Sequence, residues 1–229
     1  MKELGRHEAN WLESTVFLNC GDNFSATPLP IEAQFAPSFG VVVGDFDGDG
    51  HEDVFLAQNF FSTQPETPRY DAGLGLMLQG AGDGRFESVT ASQSGLRVFG
   101  EQRGAASSDF DGDGRLDLVV TQNGAQTHLF HNSTSLAGHR VRLVGPLGNR
   151  QAIGAKLRLT GRGDGMLGPL RELRGGSGYW SQNGLVTLWP VSEIAQVVEV
   201  IWPGGRKSEL EVGLGGSETV ISYPNSDSE

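Results

Sequence analysis

One pattern limits what this chain can fold into more than any other: an acidic nonapeptide that occurs twice. Residues 45–53 read DFDGDGHED and residues 109–117 read DFDGDGRLD, an offset of 64. Aligning 39–60 with 103–124 gives 10 identities in 22 positions, including Gln58/Gln122 and Asn59/Asn123. Average residue usage gives roughly one or two by chance, so the unit is duplicated. Each copy sets aspartate at positions 1, 3, 5 and 9 and glycine at 4 and 6. The first copy offers Asp45, Asp47, Asp49 and Asp53; the second offers Asp109, Asp111, Asp113 and Asp117. Four carboxylates within nine residues repel one another, and the adjoining sequence is read as supplying no balancing Lys or Arg. A hard cation resolves the repulsion, because Ca²⁺ takes six to eight oxygen ligands in a flexible cage. Glycine lets the backbone curl so that alternate side chains converge. Position 7, His51 or Arg115, is left to offer its backbone carbonyl. Mg²⁺ suits the loop less well, since it keeps several waters and takes few carboxylates.

The loops begin like an EF-hand and then depart from it. An EF-hand places Glu at position 12 on an exiting helix. Here position 12 is Leu56 or Val120, inside the apolar runs Val54-Phe55-Leu56 and Leu118-Val119-Val120. Those runs are strand-like. A second element recurs as well: Val16-Phe17-Leu18-Asn19 leads to Gly21-Asp22-Asn23-Phe24, and Leu76-Met77-Leu78-Gln79 leads to Gly82-Asp83-Gly84-Arg85-Phe86. Leu129-Phe130-His131-Asn132 is read as a third copy cut short. Gly-Asp and Asp-Gly pairs between apolar runs are hairpin signals. Glycine makes up 34 of 229 residues, about twice average usage. Short strands, glycine turns and a repeat of about 60 residues indicate an all-β chain built from blades of a β-propeller.

The repeat ends near residue 135. Beyond it, Arg140-Val141-Arg142-Leu143 and Lys156-Leu157-Arg158-Leu159 alternate as half-buried strands do. A denser strand spans Gln196 to Trp202, a turn follows at Pro203-Gly204-Gly205, and Lys207 to Val212 alternates back. The expected organisation is a repeat region over 1–135, a separate β domain of sandwich or barrel type over 136–224, and a disordered tail over 225–229.

The repeat loops resemble the FG-GAP or VCBS repeat of integrin-type propellers and many secreted bacterial proteins. In that family the matching aspartates and the position-7 carbonyl bind calcium, so the resemblance implies two Ca²⁺ sites. The pairs Phe39-Gly40 and Phe99-Gly100 supply its "FG" half. The later part is similar to the ASPIC/UnbV domain. The stretches that carry this are Val141 to Gly145, Asn149 to Ala155, Gly175 to Gln182, and Val200 to Arg206. One segment departs: the family continues after Ser-Gln toward His-Phe-Gly-Leu-Gly, whereas this chain has Asn183-Gly184-Leu185-Val186-Thr187-Leu188-Trp189. The resemblance implies an extracellular, periplasmic or cell-surface protein of the interaction or adhesion type, with a protein or glycan ligand. The alternative is an enzyme, or an accessory subunit in biosynthesis or glycan processing, that uses a propeller face as its active site.

Charge and composition exclude other classes. Lys and Arg number 17 and Asp and Glu 28, a net charge of −11. A nucleic-acid binder needs a basic face. No apolar run reaches the ~18 residues of a membrane span, and the single Cys20 allows no internal disulfide. No G-x-S-x-G elbow, Walker loop or H-E-x-x-H motif is present. Ser177, in Gly175-Gly176-Ser177-Gly178, has no assignable base. His128 and His131 point to opposite faces of a strand and do not chelate one ion together. Arg162-Gly163-Asp164 is an RGD tripeptide in a glycine-flanked turn, read as a chance occurrence. Asn23-Phe24-Ser25 and Asn132-Ser133-Thr134 fit the glycosylation sequon, which matters only on a eukaryotic secretory route. About 135 residues are too few to close a ring of four blades of about 64. The reading therefore favours a C-terminal piece of a longer chain; otherwise the open blades pair with another copy.

Overall fold

The computed structural model describes residues 8–161, 167–190, 196–212 and 218–224. The RGD tripeptide and the tail at 225–229 lie outside them. The chain enters as a hairpin of β1 (Thr15–Asn19) and β2 (Phe24–Pro28), closed by the Gly21-Asp22 turn. A 3₁₀ turn at Ile31–Gln34 leads into an antiparallel meander of β3 (Ser38–Gly44), β4 (Asp53–Gln58), β5 (Leu76–Gly80) and β6 (Phe86–Val89). After one short helical turn, α1 (Ala91–Ser94), the pattern restarts with β7 (Gln102–Ser108), β8 (Asp117–Gln122) and β9 (Ala125–Phe130). These sheets amount to one complete four-stranded blade, with two strands of the blade before it and three of the blade after.

The blade has a core on each face, which a propeller blade requires because it packs between neighbours. All six residues of β4 are buried. Phe55 and Ala57 pack with Val42, Ala105, Leu118 and Val120 toward the next blade. Val54 and Leu56 pack with Ala33 and Leu78 on the opposite face. A strand covered on both sides reads as an unbroken apolar run, which is how 53–58 reads.

The remainder forms two sheets around one core. β10 (His139–Val144), β11 (Lys156–Gly161), β12 (Leu167–Glu172), β13 (Val186–Trp189), β14 (Gln196–Ile201), β15 (Lys207–Val212) and β16 (Glu218–Ser222) divide into the orders β13-β10-β16 and β12-β11-β14-β15. The β10–β16 pair is parallel and the others are antiparallel. Val141, Leu157, Trp189, Val198, Val200 and Trp202 fill the space between the sheets. Of the sandwich or barrel expected of the region, two sheets over one core correspond to the sandwich. Four of its seven strands are legible as alternating or dense apolar runs; β12, β13 and β16 are not.

Two expectations need correction. The third hairpin copy is out of register by one. Val54 pairs with Leu78 and Leu118 with Phe130, and Val54 is equivalent to Leu118, so Gln79 corresponds to His131 and Gly80 to Asn132. The second "FG" is also misplaced. β3 and β7 are equivalent strands at the offset of 64, so the partner of Phe39-Gly40 is Arg103-Gly104, not Phe99-Gly100. The substitution has a use: the Arg103 guanidinium lies 4.0 Å from the Phe39 ring centroid, a cation–π contact between blades.

Candidate metal centres

Both acidic loops fold in the same way, and their own carboxylates impose the shape. In the first, Gly48 and Gly50 N–H donate to the two oxygens of Asp45 at 2.8 and 3.0 Å. In the second, Gly112 and Gly114 N–H donate to Asp109 at 2.9 and 3.1 Å. These four glycines have φ between 79° and 92°, a region that L side chains rarely enter. Position 3 caps the N–H of position 5: Asp49 to Asp47 at 3.1 Å and Asp113 to Asp111 at 3.2 Å. Position 5 caps position 7: His51 to Asp49 at 2.8 Å and Arg115 to Asp113 at 2.9 Å.

Position 9 is a buried anchor. Asp53 accepts from Phe46 and Gly80 N–H, both at 2.9 Å. Asp117 accepts from Phe110 N–H at 2.9 Å and Asn132 N–H at 2.8 Å. Gly80 and Asn132 are the pair that the corrected register makes equivalent. Asn132 also donates its side chain to the Phe46 and Leu116 carbonyls, at 2.7 and 3.2 Å. The amide of that sequon thus joins the two loops.

Of the predicted ligands, positions 1, 3 and 9 converge. Asp45, Asp47 and Asp53 bring one oxygen each within 4.8 Å of one another, and Asp109, Asp111 and Asp117 do the same. Asp49 is not in such a group. Asp113 groups instead with Asp111 and His131. Burial raises the Asp53 carboxyl to about 6, against the backbone N–H groups of Gly80 and Phe46, which lower it. Burial raises Asp45 as well. Carboxylates withdrawn from water and brought together favour either a proton or a cation.

The surroundings are not devoid of positive charge, which corrects the sequence reading. Arg115 pairs with Asp113 at 2.7 Å. His131 Nε2 lies 2.6 Å from Asp111 Oδ2, and that bond holds the imidazole pKa up and the Asp111 carboxyl down. Gln79, its counterpart, donates to Asp47 at 2.5 Å. Arg140, from β10, pairs with Asp109. Arg171, from β12, pairs with Glu52 at 2.7 Å beside the first loop. Sequence distance concealed the two arginines, 31 residues beyond Asp109 and 119 beyond Glu52. His131 was legible only as half of a rejected H-x-x-H pair; the offset of 52 from Gln79 is the signal that places it.

A cleft of about 490 Å³ separates the blade from the second domain, with Val41, Val43 and Asp45 on one wall and Leu170, Arg171 and Leu188 on the other. Ser177 lines it too, but its hydroxyl accepts from Asn183 N–H at 3.0 Å. The Gly175–Gln182 loop is tied by Ser177 N–H to the Ser181 carbonyl at 2.8 Å. The segment that departs from the family pattern docks the domains: Gly184 N–H donates to the Ser107 carbonyl at 2.7 Å, and Asn183 Oδ1 accepts from Ser107 N–H at 3.1 Å.

An all-β run of antiparallel sheets, two of them carrying acidic loops, is thus followed by a two-sheet domain. Residues 145–228 of that domain match the family model described as "ASPIC and UnbV", as the later stretches of the sequence suggested. The chain is similar to cartilage acidic protein 1 of Homo sapiens, 27% identical over 202 residues, covering 82% of this chain and 29% of that protein. The Mus musculus protein of the same name is 26% identical over 212 residues, covering 87% of this chain and 30% of its own. The Xenopus tropicalis protein is 27% identical over 205 residues, covering 84% and 30%. The chain spans about 30% of the length of these curated relatives. Among the described residues, no helix is long and apolar enough to cross a membrane.

Proposed function

We propose that this chain is a calcium-binding interaction module of the extracellular, periplasmic or cell-surface type, with one Ca²⁺ in each acidic loop. The observation that carries the reading is the duplicated convergence of three carboxylates, held by the same backbone hydrogen bonds in both copies. The donor set fits a hard cation, being all oxygen and all acidic. In the second loop a guanidinium already stands against the first aspartate. The ligands would be Asp45, Asp47, Asp49 and Asp53 with the His51 carbonyl, and Asp109, Asp111, Asp113 and Asp117 with the Arg115 carbonyl. Bound calcium would cancel the repulsion between carboxylates and so fix the strand ends that the loops join.

The likeness to a protein named for cartilage supports a place outside the cytoplasm. A ligand-binding or assembly role is supported by exposed aromatic surface: Phe17 and Phe24 are 56% and 67% exposed on the N-terminal hairpin, Trp11 just before it is 51% exposed, and Trp180 is 93% exposed on the second domain. We propose that the open hairpin face pairs with further blades or another copy, and that the ligand is a protein or a glycan. The enzyme alternative rests on the cleft, where a raised Asp45 faces Arg171 across apolar walls. Its carboxylates Glu52 and Glu172 are paired with Arg171 and Arg174, which suits binding better than proton transfer.

Calorimetric titration with CaCl₂ tests the calcium reading. Two binding events per chain are expected, with Asp47→Ala and Asp111→Ala each removing one. A titration without binding heat, repeated at a second temperature, overturns it.

A further inference from the structure

Besides the partners of their third and fifth positions, the two loops differ in what holds their first aspartate. Asp109 and Asp45 hold the same position, each capping two glycine N–H groups. Yet Asp109, whose side chain is fully buried, also takes Nη1 of Arg140, which reaches in from β10 of the second domain. Arg140 is steered there by Glu218 of β16, 3.3 Å from its Nε, and Glu218 is shared with Arg142 at 2.8 Å. In the first loop the hydrogen bonds to Asp45 come from Gly48 and Gly50 N–H. Its nearby arginine, Arg171, is engaged by Glu52, by the Leu188 carbonyl and by the Trp189 ring, 4.3 Å from its centroid. One loop thus has its first aspartate hydrogen-bonded by backbone N–H groups, and the other has that aspartate bonded in addition to a cation from its own chain.

A guanidinium and a divalent cation cannot both hold one carboxylate oxygen at contact distance. Their charges repel, and Asp109 Oδ2 already accepts from Gly114 N–H at 3.1 Å, so Arg140 Nη1 takes the lone pair that a cation at that oxygen would need. We propose that Arg140 competes with calcium for Asp109, so that the second loop is the weaker site and its filling loosens the second domain's grip on the blade. This rests on the calcium reading of the loops. By linkage, the competition is reciprocal: whatever strengthens the Arg140–Asp109 pair weakens calcium, and calcium weakens the pair by the same factor. The first loop, whose arginine bonds elsewhere, is the tight site.

The test is calcium titration of the full chain, wild type against Arg140→Gln and Arg140→Lys, with Asp47→Ala and Asp111→Ala identifying which event belongs to which loop. Two unequal affinities are expected in the wild type, the weaker one abolished by Asp111→Ala. Arg140→Gln should tighten that weaker site about tenfold or more, the worth of one charge-assisted hydrogen bond, and leave the tight site unchanged. Arg140→Lys, which keeps the charge and loses the fork, should fall between, and it serves if the glutamine variant does not melt cooperatively. As a second readout, the Arg140 side-chain Nε–H resonance should shift only as the weaker site fills. Two events with affinities that Arg140→Gln and Arg140→Lys leave unchanged would overturn the competition while the calcium reading stood. A wild type that binds no calcium would overturn both.

Discussion

Asp53 carries the largest protonation consequence of any single residue in the blade. It is 2% exposed, its two oxygens are spent on backbone N–H groups, and burial raises its pKa to about 6 from 3.8. In the metal-free protein the sign follows from linkage. Between pH 3.8 and 6 the folded state keeps a proton that the unfolded state releases, so the contribution of Asp53 to stability falls as pH rises through that window and is flat above it. The full excursion is at most about 3 kcal/mol. Denaturant unfolding in EDTA should therefore show a loss of stability between pH 4 and 6 that Asp53→Asn removes, and saturating calcium should abolish or reverse the slope. Arg103 is the second residue with a defined cost. It pairs with Glu101 at 2.6 Å, where Glu101 is 4% exposed, and it covers Phe39. Arg103→Ala leaves a buried carboxylate without its cation, held only by Phe61 N–H and Asn123 Nδ2, both at 2.7 Å, and should cost about 3 kcal/mol, read as a lower denaturation midpoint.

The elements of the blade were legible because each of their signals is local. Strand β4 reads as an apolar run, its acidic loop as a 1-3-5-9 pattern, and both recur at one offset. The short helix α1 was not legible. Its four residues carry no period, and it exists through the Thr90 capping box and Gly95 at φ 74°. The one-residue slip in β9 has a similar cause: apolar residues at 129 and 130 fit either register, and hydrogen bonding to β8 decides between them. In the second domain β12, β13 and β16 escaped notice because their faces are completed by partners distant in sequence, β16 pairing in parallel with β10. That domain buries two tryptophans and carries no 1-3-5-9 loop, so its core is expected to form without metal. A fragment of residues 136–229 should unfold in one cooperative transition whose midpoint is the same in EDTA and in calcium. Chelator-induced unfolding of the fragment would contradict this.

At the scale of the whole molecule, the sequence showed what each half is made of and concealed how they meet. The junction is built from contacts of long sequence separation: Arg140 to Asp109, Arg171 to Glu52, Gly184 to Ser107, and Asn132 to the Phe46 carbonyl. No periodicity encodes such pairs. They matter because both loops lie beside the junction, which ties any cation held in them to the seating of the second domain. The central claim is that calcium in the loops stabilises the strand ends they join, the second loop's ion doing so at the expense of the Arg140–Asp109 contact. Its most direct test is the melting temperature of the full chain in EDTA and in calcium at about 100 times the dissociation constant. Ligand linkage then contributes about 2.7 kcal/mol per site, and for a chain of this size two sites should raise the midpoint by roughly 10–20 °C. A midpoint that is the same in chelator and in saturating calcium would contradict the account.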